Sequence, residues 1–303
     1  MRIGITGSEG LIGTALGRSL TKAGREWRGL DLRAAPDAAG HGDVKDPLAV
    51  EQFVANCELV VHLAAVSRVV WGERDPALCW STNVDGTQNV LEAALRKSPR
   101  PAVIVASSRE VYGEPARLPV PEAALLRPLN VYGRSKEAAE RAVRRARERG
   151  LRAVVLRFSN VYGSVDDHPD RVVPAFARAA AHGGVLRVDG PDHTFDFCHI
   201  DDCVDGILRA IEHLEEGRPP FDPIHLVTGR ATTLGRLASI SIAASDGAAS
   251  VRVGKTRAYD VARFVGCPDR AARTLGWRAR RSVEWGVAAL VDEFRQIEAR
   301  SGA

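Results

Sequence analysis

A glycine-rich segment directly follows the first apolar run of the chain, and it constrains the fold more than any other feature. Residues 2–6 have the pattern of a short strand, and Gly7, Gly10 and Gly13 come next. Gly7 permits a tight turn, Gly10 lets a pyrophosphate approach the backbone, and Gly13 lets the following helix pack closely on the strand. The N-terminus of that helix offers free N–H groups and a positive dipole end to phosphates. The segment predicts a dinucleotide-binding turn.

Short apolar runs and amphipathic segments alternate through the first two thirds of the chain. Strands separated by helices of this length form parallel sheets through right-handed crossovers. We therefore expect an α/β fold, a Rossmann-like doubly wound parallel sheet with a smaller C-terminal substrate-binding lobe. The predicted strands are residues 2–6, 27–31, 58–62, 102–106 and 152–158. The predicted cofactor domain is 1–165, with 193–229 returning to it, and the predicted lobe is 166–192 and 230–303.

Composition excludes several classes of protein. The 303 residues are 45% hydrophobic and 26% charged, which is typical of a globular chain with a full core. A net charge of +4 is small for this length, so no nucleic-acid partner is expected. No uncharged apolar run reaches the roughly 18 residues of a membrane span, and the chain begins with a strand, so we expect a cytoplasmic protein. The five cysteines form no C-x-x-C pair, which predicts neither a disulfide framework nor a metal site.

Asp31 ends the second predicted strand, where a carboxylate can accept hydrogen bonds from the adenosine ribose and repel a 2′-phosphate. This favours NAD over NADP. Arg33 lies close by and is the residue type that accommodates the extra phosphate of NADP, so it points the other way.

Tyr132 and Lys136 lie four residues apart in a helical segment, so that both project from one face of the helix. A cation beside the phenol favours phenolate and draws the pKa of Tyr132 down from its usual value of about 10. The phenolate can remove a proton from a substrate hydroxyl while a hydride leaves the same carbon for a nicotinamide. Ser107 and Ser108 follow the fourth predicted strand, at the carboxyl end where doubly wound sheets bind ligands.

Together these segments resemble the extended short-chain dehydrogenase/reductases, in the branch that modifies nucleotide sugars. The G-x-x-G-x-x-G spacing and the Y-x-x-x-K pair carry the resemblance, with four further segments: Gly42-Asp43-Val44, His62-Leu63-Ala64-Ala65, Asn83-Val84-Asp85-Gly86-Thr87 and Arg157-Phe158-Ser159-Asn160-Val161-Tyr162-Gly163. It implies NAD as the cofactor and a nucleoside-diphosphate sugar as the substrate. It also implies a homodimer, formed by the helices around 84–96 and 133–149.

The resemblance and the residue chemistry together assign candidate site residues. Ser108 is implied to share the moving proton with Tyr132, and Lys136 to hold the nicotinamide ribose. The predicted cofactor-binding residues are Gly7, Gly10, Leu11, Ile12, Gly13, Asp31, Arg33, Asp43, Val44, Leu63, Ala64, Ala65, Asn83, Tyr132 and Lys136. The predicted substrate-binding residues are Ser107, Ser108, Asn160, Phe176, Phe195 and Arg257.

The substrate-binding candidates depart from the family pattern at one position. Asn160 and Arg257 match residues that bind the diphosphate of the sugar nucleotide. Phe195, however, stands where the pattern R-D-F-x-x-V-x-D has an arginine that commonly clamps phosphate. Phe176 and Phe195 either stack on the nucleobase or belong to the core.

Glu110 leaves two interpretations open. Dehydratases and decarboxylases of this branch carry glutamate there, and such a carboxylate can act as a further catalytic residue at C5 of a 4-keto sugar. The aspartate that precedes it in 4,6-dehydratases is Arg109 here, so Glu110 can equally be the ion-pair partner of an arginine.

The leading hypothesis is an NAD-dependent nucleotide-sugar epimerase that oxidises C4 transiently and returns the hydride. The alternative is a nucleotide-sugar 4,6-dehydratase or related enzyme that uses Glu110. A non-catalytic dinucleotide sensor is a third hypothesis, because a fold does not determine function, but such sensors typically lack the tyrosine–lysine pair.

Overall fold

The computed structural model describes residues 1–245, 249–254 and 261–301, in which strands and helices alternate. The strands are β1 Ile3–Thr6, β2 Trp27–Leu30, β3 Leu59–His62, β4 Ala102–Ser108, β5 Ala153–Phe158, β6 Asn160–Tyr162, β7 Val185–Asp189, β8 Thr194–Phe195, β9 Phe197–His199, β10 Ile224–Leu226, β11 Thr232–Thr233, β12 Ser250–Gly254 and β13 Arg263–Phe264. The helices are α1 Leu11–Lys22, α2 Pro47–Ala55, α3 Val69–Arg74, α4 Pro76–Trp80, α5 Gly86–Arg96, α6 Val131–Glu148, α7 Val172–Ala181, α8 Ile200–Glu215, α9 Leu234–Ala243, α10 Asp269–Leu275 and α11 Val283–Ser301. A π-helical turn, Ser81–Asp85, precedes α5, and a 3₁₀ turn, Arg109–Tyr112, follows β4.

Six of the described strands form one parallel sheet, in the spatial order β2-β1-β3-β4-β5-β10. The direction of strand addition reverses at β1, because the chain adds β2 on one side of it and β3 on the other. At such a switch point the loops after the two neighbouring strands diverge and leave a crevice at their carboxyl ends. The predicted doubly wound α/β class is confirmed.

Helices cover both faces of the sheet. Successive side chains of a strand point to opposite faces, so Leu59 and Val61 pack in the cluster that contains α1 and α8, whereas Val60 packs in the cluster that contains α2 and α5. Strands buried on both faces need continuous apolar runs, which is why these strands were recognisable from the sequence.

A third cluster of buried apolar residues lies around α7, α9 and α11 and the short strands β7 and β8. It contains Phe176, Phe195 and Leu290. This cluster supports the part of the chain that faces the carboxyl ends of the sheet, and thereby one wall of the candidate site.

The five predicted strands are all present, with small differences at their ends. In addition, β10 pairs with β5, which brings the chain back to the sheet after β9 and α8. The proposed division at 165, 192 and 229 stays a prediction, and so does a homodimer formed through α5 and α6. None of the described helices is long and apolar enough to span a bilayer.

Candidate active site

The predicted glycine turn joins β1 to α1 and leaves no room for side chains at two positions. Gly7 has a φ of +72°, and a Cβ on it would lie 2.6 Å from the backbone nitrogen of Ala64. A Cβ on Gly13 would collide with the carbonyl oxygen of Gly7. The turn is consequently bare backbone at the N-terminus of a helix, which is the surface that a pyrophosphate requires.

Asp31 follows the carboxyl end of β2 and is buried next to the glycine turn. Its Oδ2 accepts a hydrogen bond from the backbone N–H of Glu9 at 2.9 Å, and its Oδ1 accepts one from the backbone N–H of Arg33 at 2.8 Å. Ionised carboxylate oxygens have further acceptor capacity, so both contacts leave Asp31 able to bind ribose hydroxyls. The Arg33 guanidinium lies 3.5 Å from Oδ1 and remains 56% exposed at the rim of the site.

A cavity of about 810 Å³ runs from the glycine turn across the switch point to the first turns of α6. Within the described part of the chain, every predicted site residue lines this cavity except Asn83 and Phe176. Clefts of this size and position are typical of ligand sites at the carboxyl ends of parallel strands.

Three of the predicted binding residues do not face the cavity or cannot be placed. Asn83 is 1% exposed, and its amide accepts from the Val66 N–H at 2.7 Å and donates to Ser135 Oγ at 2.9 Å. It therefore holds the loop after β3 in position from behind the cavity wall. Phe176 is buried in the third cluster and is a core aromatic. Arg257 lies outside the described residues.

The predicted catalytic residues come together at one end of the cavity. Tyr132 and Lys136 lie one turn apart in α6, and Ser108 ends β4. Burial is the largest influence on the pKa of the Tyr132 phenol and raises it, whereas interaction with the Ser108 side chain lowers it. Lys136 Nζ donates to the Ala106 carbonyl at 3.0 Å and lies 6.0 Å from the centroid of the Tyr132 ring. This arrangement can pass a proton between a substrate oxygen, Ser108 and Tyr132.

Burial is the largest influence on the pKa values of Tyr132 and Lys136. It raises the pKa of Tyr132 to about 12, and it lowers the pKa of Lys136 to about 8. The sequence predicts a lowered pKa for Tyr132, and that prediction is wrong for the protein chain by itself. The reason is that loss of water around the phenolate outweighs the lowering effects of Ser108 and Arg171, while Lys136 donates its hydrogen bond to the Ala106 carbonyl.

Glu110 is buried beside Ser108, but both of its carboxylate oxygens are occupied. Oε1 lies 2.9 Å from Nη2 of Arg109, and Oε2 accepts a hydrogen bond from the Asn130 amide at 2.8 Å. Of the two interpretations left open, these contacts favour the ion pair. The Ser107 hydroxyl donates to Glu140 at 2.5 Å, so it is engaged inside the protein.

Comparison with known proteins places this geometry in a family. Residues 3–222, more than half of the chain, match the model of the NAD dependent epimerase/dehydratase family. The chain belongs to this family. Membership agrees with the resemblance recognised in the sequence and with NAD as the cofactor.

Individual members of the family are similar over nearly the whole chain. The dTDP-glucose 4,6-dehydratase of Streptomyces antibioticus is 31% identical over 326 residues, covering 99% of this chain and 94% of the relative. The UDP-glucose 4-epimerase of Thermotoga maritima, solved with UDP-glucose, superimposes with a TM-score of 0.90 at 26% identity, covering 98% of this chain and 100% of that one. MoeE5, solved with UDP-glucuronic acid and NAD, gives 0.89 at 28% identity, with 98% and 100% covered. These members support an enzyme of this family and include both reaction classes.

Near Tyr132, the cavity wall contains a charged group that the sequence analysis missed. Asp167 Oδ1 lies 3.5 Å from Nε of Arg171, and the Arg171 charge opposes the burial that raises the pKa of Tyr132. Asp167 Oδ2 is buried without a hydrogen-bond partner among the described residues, and burial raises the pKa of this carboxyl. Trp71 and His168 meet edge to face beside it, with ring centroids 4.6 Å apart. Asp167, His168 and Arg171 have no periodicity in the sequence, so only the path of the chain after β6 brings them to the cavity wall.

Gly13→Ala is expected to lower both the NAD content and the Tm of the purified protein. The added Cβ would meet the Gly7 carbonyl, a backbone atom, so the turn must open, at a cost of about 1–3 kcal/mol in the free energy of unfolding. Gly24→Ala is the control: its φ is +66°, but its Cβ would meet nothing within 4 Å in the described structure. It should lose about 1 kcal/mol to backbone strain and keep its NAD. Thermal denaturation and quantification of extracted nucleotide measure both effects; equal NAD content in the two variants would contradict the assignment.

Proposed function

We propose that this protein is an NAD-dependent nucleotide-sugar epimerase, which oxidises its substrate transiently at C4 and returns the hydride to the other face. The observation that carries the proposal is the ion pair of Glu110. The Ser108, Tyr132 and Lys136 set needed for oxidation is present, whereas the Glu110 carboxylate, which elimination would require, is paired with the Arg109 cation and fixed by a hydrogen bond from the Asn130 amide. Relatives that act on or bind UDP-glucose and UDP-glucuronic acid support a nucleoside-diphosphate sugar as the substrate.

The residues present fit NAD. The bare turn at Gly7 and Gly13 suits the pyrophosphate, and Asp31 suits the adenosine ribose. When bound, NAD supplies a hydride acceptor and a positively charged nicotinamide ring. Lys136, whose pKa is lowered to about 8 by burial, is still largely an ammonium at neutral pH and can hold the nicotinamide ribose hydroxyls.

Ser108 and Tyr132 transfer the proton of the sugar C4 hydroxyl. Tyr132 Oη accepts this proton, directly or through the Ser108 hydroxyl, and gives it back when the C4 alcohol is formed again. Because burial raises the pKa of Tyr132 to about 12, the phenolate requires positive charge near it. The residue therefore becomes an effective base only in the assembled site.

The experiment that tests the proposal is incubation of the protein in heavy water with UDP-, TDP-, GDP-, CDP- and ADP-sugars, followed by chromatography and mass spectrometry. A C4 epimerase gives a new isomer without solvent deuterium. Loss of water with one deuterium gained would identify a dehydratase instead. No turnover of any nucleotide sugar would favour the non-catalytic sensor.

Glu110→Gln separates the epimerase from the dehydratase by kinetics. We expect kcat to fall by less than about tenfold, because the Glu110 carboxylate takes no part in the proton transfer that Tyr132 and Ser108 perform. A dehydratase that uses this carboxylate would lose elimination by about 100- to 10,000-fold. Steady-state kinetics on the sugar identified above measure the difference, and a loss of the larger size would overturn the epimerase assignment.

A further inference from the structure

Two departures from the family pattern, far apart in the sequence, meet in the cavity. Phe195 stands where the pattern has a phosphate-clamping arginine, and Arg109 stands where the 4,6-dehydratases have an aspartate. The guanidinium carbon of Arg109 lies 4.6 Å from the centroid of the Phe195 ring, and both residues line the cavity. A cation over a ring face is attracted to it. The Phe195 ring, at the end of β8, thus stabilises the positive charge of Arg109, which follows the end of β4.

In addition to the Phe195 ring, Glu110 holds the Arg109 guanidinium at one terminal nitrogen. Its Nη2 lies 2.9 Å from Oε1 of Glu110, whose Oε2 accepts from the Asn130 amide. Asn130 in turn caps α6 by accepting the Gly133 N–H at 2.7 Å. One ion pair and two hydrogen bonds, anchored at the start of α6, therefore orient the guanidinium, and Glu110 acts as a positioning residue.

The other terminal nitrogen of this guanidinium is unsatisfied. Nη1 of Arg109 is buried and has no hydrogen-bond partner among the described residues, in a side chain that is 12% exposed. Buried N–H groups without acceptors are rare in native proteins, and more costly when the group is charged. An orphan donor on a fixed cation that lines a ligand cavity points to an anionic ligand atom.

We propose that Arg109 binds an anionic group of the substrate through Nη1, in place of the arginine that Phe195 replaces. The inference rests on the proposed nucleotide-sugar specificity. Such a substrate offers phosphate oxygens in its diphosphate and, in a uronic acid, a sugar carboxylate; guanidinium groups bind both. Because Arg109 directly follows Ser108, the bound anion lies close to the reacting sugar, and Arg109 is a specificity-determining residue.

Calorimetric titration of the NAD-loaded protein with UDP, UDP-glucose and UDP-glucuronic acid tests this inference. Arg109→Gln is expected to raise Kd by roughly 10- to 100-fold for each ligand that contacts Nη1. Arg109→Lys keeps the charge and is expected to recover part of the loss. Arg178→Gln is the matched control, since Arg178 also lies over an aromatic ring, Phe294, at 5.1 Å, but outside the cavity.

Either of two patterns supports the inference. Similar losses for all three ligands identify the diphosphate as the anion, and a loss confined to UDP-glucuronic acid identifies the sugar carboxylate. Unchanged Kd values in Arg109→Gln would overturn the inference and leave the proposed function standing. Failure of the wild-type protein to bind these three ligands and every other nucleotide sugar of the panel above would overturn both.

Thermal denaturation of the same variants separates binding from a structural role. Arg109→Gln leaves the buried Glu110 carboxylate without its cation, so its Tm is expected to fall, whereas Arg109→Lys keeps the charge and is expected to retain more of the wild-type Tm. A lowered Tm together with unchanged Kd values would assign Arg109 to structure and overturn the inference.

Discussion

Tyr132→Phe is expected to lower kcat by about 100- to 10,000-fold, the largest effect on activity that we expect from a single substitution. The variant removes only the hydroxyl that accepts the sugar proton and that contacts Ser108. The ring, which is buried at the end of the cavity, stays in place. Substrate Kd and NAD content should therefore change little, and steady-state kinetics with calorimetry measure this separation of kcat from binding.

Tyr112→Phe is the matched control for this experiment. It also deletes a buried phenol hydroxyl, which is hydrogen bonded to His225 and Arg157, but Tyr112 lies outside the cavity. We expect a lower Tm, because two buried polar groups lose a partner, with kcat of the folded protein within a few-fold of the wild type. Full kcat in Tyr132→Phe would rule out Tyr132 as the base.

Glu140→Gln is expected to have the largest effect on stability, with a loss of about 3–5 kcal/mol in the free energy of unfolding. Both oxygens of Glu140 bind the guanidinium of Arg157, at 2.9 Å and 2.7 Å, and each side chain of the pair is 5% exposed. The neutral amide leaves the Arg157 charge buried without compensation. Urea denaturation measures the loss in the free energy of unfolding. Thermal denaturation should show a Tm lower by roughly 5–15 °C.

The same helix provides a control for this variant. Glu137 pairs with Arg141 one turn along α6, with side chains 24% and 48% exposed. Water screens such a pair, so Glu137→Gln is expected to change the free energy of unfolding by less than about 0.5 kcal/mol. Equal losses in the two variants would show that the Glu140 environment compensates for a missing charge.

The predictions that succeeded rest on spacing along the chain. Strands buried on both faces have continuous apolar runs, and a glycine turn must follow the first of them, so the doubly wound sheet and the position of the Gly7 to Gly13 turn were accessible from the sequence. The proximity of Tyr132 and Lys136 follows from the helical repeat alone. Roles for these residues stay predictions until the variants are measured.

The sequence does not reveal what surrounds a residue. Asn83 lies in a segment that matches the family, yet its amide is hydrogen bonded to Val66 and Ser135 and does not line the cavity. Asp167 lies in an irregular loop without periodicity, yet the fold places it in the wall of the cavity that Tyr132 also lines. Neither burial nor the partner of a polar atom is a local property of the sequence.

By itself, the sequence determined the fold class, the family and the residues that share a turn or a helix face, because these depend on short-range periodicity. Only the tertiary structure decided the state of the charged groups. It raised the pKa of Tyr132 by burial, occupied both oxygens of Glu110, and brought Arg109 onto the ring of Phe195. Desolvation and pairing depend on contacts between distant segments, so they exist only once those segments have packed together in the folded chain.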